Sequence, residues 1–203
     1  MYLREAAPVA PRTQAERSAA TQQALVDAAI ELLIGRGWAA TTAVAVCERA
    51  GCTRGALIHH YPNLSALLAH ALEWLYEDLT RSVRRPAPTM VAAINTVWRA
   101  VGDARFKAVL EAWSAAGNDP ELASELAPAI GRFAKLVAPT DAGPLRDADA
   151  RAFYLMARET MLGLALGRAS NGGQPLGHER VVLGRLRAEA AAIDARADEG
   201  GKR

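Results

Sequence analysis

"CERAGCTRGALIHHYPN", residues 47–63, places a helix-breaking glycine between two cysteines, restarts at Thr-Arg-Gly, and ends on two histidines, a tyrosine and a proline. Just upstream, Thr41-Thr42 offers an N-cap, because a hydroxyl there can take an orphan backbone N–H. A short helix then runs to Ala50. Gly51 turns the chain, since glycine adopts a turn conformation that a Cβ resists. Thr53 caps a second short helix, which runs to about Tyr61 before Pro62-Asn63 breaks it. Val46, Cys47 and Ala50 are expected to face inward from the first helix, with Cys52 and Leu57 across the turn. Cys47 and Ala50 are small enough to let two short helices cross steeply. The outer face of the second helix would carry Arg54, Gly55, Ile58 and His59. This is a helix-turn-helix pattern, whose second helix can lie in the major groove of DNA. Helix, tight turn, helix also occurs in proteins that never touch DNA, so the pattern alone leaves both readings open.

The pattern extends outward in both directions. Residues 1–12 are rich in Pro and Ala and are expected to be a mobile arm. Apolar positions Ala24, Leu25, Ala28, Ala29, Leu32 and Leu33 recur at helical spacing after Thr13, and Gly35 and Gly37 supply the stop. A long helix follows from Leu64 to about Arg84, ended by Arg85-Pro86. Further helical patterns cover 88–101, 103–116, 120–137, 147–169 and 178–197. They are separated by Gly102-Asp103, Gly117 to Pro120, Pro139 to Pro144, and Ser170 to Pro175. About nine helices and no credible strand make an all-α protein. The expected division is an N-terminal arm, a helix-turn-helix domain over 13–62, a second helical domain over 63–197, and a mobile tail over 198–203.

Composition agrees and excludes several classes. The 203 residues are 51% hydrophobic and 23% charged, which is ordinary for a globular chain with a sizeable core. Alanine is abundant and aromatics are 5%, which favours helices over sheets. The net charge of +2 is small and not concentrated, because residues 1–85 hold 9 Arg and 8 acidic residues. Charge alone therefore does not argue for a nucleic-acid partner. The opening residues lack the apolar core of a signal peptide, and no apolar run approaches the ~18 residues that span a bilayer. A cytoplasmic location is expected. There is no Gly-x-Ser-x-Gly, His-Glu-x-x-His or phosphate-cradling glycine loop, so catalysis is not expected. No cofactor is implied.

The wider stretch from Arg12 to Glu73 resembles the DNA-binding domain of the TetR/AcrR family of bacterial transcriptional regulators. The features that carry the resemblance are Asp27-Ala28-Ala29 with Leu32, Gly37-Trp38, and Thr41-Thr42. They continue through Ala50-Gly51, Thr53-Arg54-Gly55-Ala56-Leu57, His59-His60-Tyr61-Pro62 and the leucines opening the fourth helix. The match covers about a third of the chain, in specific order and spacing. It implies a homodimeric regulator of a palindromic operator in double-stranded DNA, by family default a repressor released by a small-molecule effector. Carried over by position, the DNA contacts fall on Thr42, Val44, Thr53, Arg54, Gly55, Ala56, Ile58, His59 and His60. Two positions depart from the common pattern. Ile58 stands where many members have a phosphate-contacting tyrosine, and Leu64 where many have a lysine. Those losses weaken nonspecific binding, with Arg12, Arg17 and Arg36 available to compensate. They also keep an alternative open, a helical small-molecule-binding protein with weakened or lost DNA recognition.

Other residues carry competing readings. His59 and His60 point ~100° apart on a helix and make poor joint metal ligands. A disulfide between Cys47 and Cys52 requires Cα atoms within ~7 Å and converging side chains; core packing is the expectation. The resemblance implies an effector cavity in the second domain, for which Trp98, Arg99, Phe106, Trp113, Phe133, Phe153 and Met156 are candidates, with Arg158 as a further anchor for an acidic ligand. Plain core packing is the alternative for each aromatic. Gly163 and Gly167, one turn apart, cost roughly 1 kcal/mol each relative to alanine, which suggests close helix approach. With Val181, Val182, Leu186 and Ala190 they are candidates for a four-helix dimer interface. The fourth helix is expected to be the one element joining the two domains directly.

Overall fold

The computed structural model describes residues 13–81, 87–138 and 143–200. Among them are nine α-helices, two short 3-10 turns and no strand, so the chain is all-α. The expected arm over 1–12 with its Arg12, the Arg85-Pro86 stop and residues 201–203 lie outside the described residues.

Helix α1, Gln14–Arg36, starts at a complete capping box: the Thr13 hydroxyl accepts from Glu16 N–H, and the Glu16 carboxylate accepts from Thr13 N–H. Its buried stripe is Leu25, Val26, Ala28, Ala29, Ile30, Leu32 and Leu33. It ends at Gly37, whose φ of +83° is open to glycine and strained for other residues. A 3-10 turn over Trp38–Ala40 follows, unforeseen in the periodicity because three residues are too few to show any. Helix α2, Ala43–Ala50, is capped by Thr42, and α3, Arg54–His60, by Thr53. Helix α4, Leu64–Thr80, is capped by Asn63. It is described to Thr80, where the Thr80 hydroxyl donates to Tyr76 O at 2.6 Å and Arg81 lies in a turn; the expected end near Arg84 lies outside the described residues.

The second half contains α5, Met90–Val101, α6, Phe106–Ala116, α7, Pro120–Val137, α8, Ala148–Ser170, and α9, Glu179–Gly200. A second 3-10 turn, Gly143–Arg146, precedes α8. Helix α7 continues past Pro128, although proline inside a helix costs ~3 kcal/mol. The buried stripe Leu122, Leu126, Ala129, Phe133 and Val137 explains why, and Pro128 itself lies on the exposed side. Helix α9 continues to Gly200, so the expected tail over 198–203 is helical in its first three residues.

Helix α4 packs on α1 on one side and α7 on the other, while α5 lies against α8 and α9. One contact ties distant parts of the sequence together: Asp194 of α9 accepts the Met90 and Val91 N–H groups at 2.6 and 3.1 Å. Those are orphan donors of the first turn of α5, so a carboxylate over a hundred residues away caps that helix. Arg168 of α8 pairs with the buried Glu179 at 2.6 Å, donates to Gly102 O at 2.8 Å, and lies over the Trp98 ring at 5.1 Å. The Arg168 hydrogen bond, opposed by burial, holds the Glu179 carboxyl below the usual range.

Candidate nucleic-acid interface and ligand pocket

Gly51 takes φ +65° and ψ +31°, the left-handed conformation, and no atom crowds the place a Cβ would occupy. The glycine is therefore demanded by backbone angle, not by space. Val46, Cys47 and Leu57 are buried, as their spacing indicates. Tyr61 is also buried, and its hydroxyl meets Nδ1 of His70 at 2.7 Å, which fixes the end of α3 to α4. His70 was not apparent as a partner, because its place relative to Tyr61 depends on the chain reversal at Pro62.

Of the residues carried over as DNA contacts, Thr42, Val44, Thr53, Arg54, Gly55, Ile58 and His59 are exposed. Ala56 and His60 are half-buried. Val44 and Ile58 are 61% and 52% exposed, high for aliphatic side chains. The hydroxyls of Thr42 and Thr53 accept from Ala45 and Ala56 N–H, each at 3.2 Å, so both threonines act as caps. Leu64 is half-buried and packs on the core. No group of three or more metal-ligating side chains occurs among the described residues.

The head has a second tether. Helix α6 touches both α1 and the Trp38–Ala40 turn, which corrects the expectation that α4 alone joins the domains. A Glu111 carboxylate oxygen accepts the Trp38 N–H at 2.7 Å and would lie 2.8 Å from a Cβ on Gly37. Lys107 holds the other oxygen at 2.9 Å. Burial by itself would raise the Glu111 carboxyl, but the hydrogen bonds from Lys107 and Trp38 and the Lys107 charge outweigh it and hold it below the usual range. An isolated glutamate in an amphipathic helix gives no sign of a partner 73 residues upstream.

The effector candidates divide. Phe106, Trp113 and Phe133 do gather, and Tyr76 of α4 joins them. Tyr76 and Phe133 stack with centroids 4.8 Å apart, Phe106 meets Trp113 edge-on at 5.7 Å, and Trp113 Nε1–H donates to the Tyr76 hydroxyl at 2.7 Å. Burial pushes the Tyr76 phenol up to about 12 despite that bond. Two hollows flank Phe133. One, of ≈ 310 Å³, is bounded by Glu73, Tyr76, Glu77 and Arg132. The other, of ≈ 230 Å³, is bounded by Trp113, Ile130, Arg158 and Leu162. The remaining candidates lie elsewhere. Trp98 sits beneath Arg168. Arg99 is exposed and bonds back to Asn95 and Thr96 of its own helix. Phe153 lines a separate hollow with Asp147, Glu189 and Arg196. Met156 is 58% exposed on the outside of α8. Helical spacing gives each residue a face but not the neighbour that face meets.

The dimer candidates divide as well. A Cβ on Gly167 would come within 2.6 Å of Leu176 Cδ1, so that glycine answers a contact inside the chain, whereas Gly163 faces open space. Leu186 and Ala190 are buried in the chain's own core with Leu183, and Val182 is half-buried. The stripe facing outward on α9 is instead Val181, Gly184, Ala188, Ala191 and Ala195, at alternating spacings of three and four. On α8, Met156, Gly163 and Leu166 face outward.

An exposed, threonine-capped α3 on a small helical head, carried by a larger helical body with aromatic-lined hollows, is a helix-turn-helix arrangement. The profile described as "Bacterial regulatory proteins, tetR family" matches residues 25–71. The HTH-type transcriptional regulator CymR of Pseudomonas putida is 35% identical over 118 residues, 55% of this chain and 58% of that protein. An uncharacterized HTH-type transcriptional regulator of Mycobacterium tuberculosis is 32% identical over 130 residues, 60% of this chain and 66% of the relative. The chain thus spans less than two thirds of the relatives it matches. Among solved structures, a transcriptional regulator from Rhodococcus sp. Rha1 superposes with a TM-score of 0.61 at 20% identity, covering 85% of this chain and 95% of that one. GusR of Salmonella enterica gives 0.56 at 16% identity, with 86% and 95% covered. These two likenesses establish the fold alone. Residues 25–71 thus match the tetR family of bacterial regulatory proteins, and the relatives that share part of this sequence are named as transcriptional regulators. No described helix is long and apolar enough to cross a membrane.

Proposed function

We propose that this protein is a cytoplasmic, homodimeric, sequence-specific DNA-binding repressor that a small apolar molecule releases from its operator. The observation that carries the reading is the α3 face on which Arg54, Gly55, Ile58 and His59 are all exposed. Gly55 lets the backbone approach a duplex closely. Arg54 supplies either a bidentate contact to guanine or a charge for a phosphate. Residues 13–62 serve as the reading head and 63–197 as the effector-binding and dimerisation body.

The release mechanism follows from two tethers. Tyr76 on α4 and Trp113 on α6 are bonded to each other beside Phe133. Their helices are also those that reach the head, α4 through its packing on α1 and α6 through Glu111. A molecule that parts Phe133 from Tyr76 moves both tethers. By linkage, DNA must weaken that molecule's binding by the factor with which it weakens DNA binding. The outward faces of α8 and α9 pair with their symmetry mates as a four-helix bundle.

The test is a gel shift with DNA from upstream of the protein's own gene, for the wild type and Arg54→Ala over a salt series. A base contact costs the variant ~1–3 kcal/mol and relaxes one operator position. A phosphate contact weakens all sequences alike and flattens the salt slope by about one. Unchanged affinity on every sequence would remove α3 as the reader. Absence of any specific complex with the wild type would favour the second reading, a small-molecule-binding protein with lost DNA recognition, which the apolar Ile58 at a phosphate-contacting position supports.

A further inference from the structure

The chain has two cysteines, and both stand at the turn of the reading head. The turn itself brings them together. Cys52 N–H donates to Cys47 O at 3.0 Å and Gly51 N–H to Glu48 O at 3.3 Å. With Gly51 left-handed, this is a Schellman closure, in which the residues at the two ends of the outer hydrogen bond also meet through their side chains. Those residues are Cys47 and Cys52. The backbone that crosses α2 over α3 therefore also supplies the short Cα separation that a disulfide requires. The cysteines are both free thiols, Cys47 buried and Cys52 half-exposed. Burial, and then the adjacent Cys47 thiol, raise the Cys52 thiol above the ordinary cysteine range. The Cys52 thiol therefore oxidises slowly at rest.

We infer that Cys47 and Cys52 are a modification site, closing a reversible intramolecular disulfide across the helix-turn-helix turn when hydrogen peroxide reaches the head. Cys52, the accessible sulfur, attacks one peroxide oxygen as its thiolate. The O–O bond breaks, the released hydroxide takes up a proton to become water, and Cys52 becomes a sulfenic acid. The Cys47 sulfur then attacks the Cys52 sulfur. The S–S bond forms, the S–O bond breaks, and the oxygen leaves as water with the Cys47 proton. Two thiols lose two electrons and the peroxide is reduced to two waters. Contraction from thiol contact to a bond of ~2.05 Å draws Cys52 toward α2, and with it Thr53 and Arg54. This displacement resets α3. The consequence for DNA rests on the function proposed above; the chemistry does not.

The experiment treats the full-length protein with hydrogen peroxide, alkylates it with iodoacetamide under denaturation, and weighs it. The expected product takes up no alkyl group, is lighter than the untreated protein by two hydrogens, runs as one chain on a non-reducing gel, and regains both thiols with dithiothreitol. Cys52→Ser, altered at the half-exposed position, should never lose two hydrogens. Two thiols that remain open to alkylation, or thiol loss through bonds between chains or through sulfinic acid, would overturn the inference. A parallel gel shift uses DNA from upstream of the gene, and oxidation should weaken the complex about tenfold, the scale of a misplaced base contact. Equal binding by reduced and oxidised protein would overturn the effect on the head. Failure of the reduced protein to bind would count against the DNA-binding function, with the disulfide judged by mass alone.

Discussion

Replacing Glu111 by alanine should loosen the head from the body without disturbing either core. The side chain does two things: it accepts the half-buried Trp38 N–H at 2.7 Å and pairs with Lys107 at 2.9 Å. Leaving a part-buried N–H unsatisfied costs ~1–3 kcal/mol. The Lys107 pair, with side chains 43% and 30% exposed, adds no more than ~1 kcal/mol. A loss of about 2 kcal/mol follows, seen as a lower urea midpoint at fixed protein concentration. Glu111→Gln keeps an acceptor and should lose about half as much. The pH dependence has a definite sign. A carboxylate held below its unfolded value contributes stability that is full above about pH 4.3, the unfolded glutamate value, and disappears as pH falls through the depressed folded value. The wild type should therefore exceed Glu111→Gln at neutral pH and converge with it in acid. Hydrogen exchange supplies the local readout, since the Trp38 amide should lose protection in Glu111→Ala. An unchanged urea midpoint together with unchanged protection of Trp38 would refute the tether.

Glu179→Ala leaves the Arg168 guanidinium without its buried partner. A loss of about 2–3 kcal/mol is expected in urea unfolding, somewhat under the ~3–5 of a fully buried pair because Arg168 is 23% exposed. Phe133→Ala removes a 2% exposed ring between two hollows. It should cost ~3–5 kcal/mol and increase the fluorescence of an apolar dye bound to the folded protein. Leu166→Glu combined with Val181→Glu puts charges on the outward faces of α8 and α9, where the proposed dimer packs, and sedimentation should show a monomer in place of that dimer with helicity by circular dichroism retained.

How far the sequence reached depended on the range of the interaction. Capping threonines at 13, 42 and 53 act on amides three residues away, and Gly37 and Gly51 act on their own backbone angles. Such effects are complete within a few residues, so the helices and the head were legible locally. Helical spacing also indicated which residues of α1 and α3 turn inward. It could not say what they meet. Phe106, Trp113 and Phe133 converge on a tyrosine of α4, while Trp98 and Phe153, equally aromatic, go to other neighbours. Gly163 and Gly167 share a helix, yet one faces open space and the other Leu176.

The sequence by itself determined an all-α chain with a threonine-capped, glycine-turned head, because periodicity and end-capping are properties of neighbouring residues. Only the tertiary structure decided that Glu111 grips the head, that Asp194 caps α5, and that Leu186 belongs to the chain's own core. Those outcomes depend on how helices far apart in sequence cross, and a crossing is set by the sum of many side-chain volumes along both elements. No single position carries that sum.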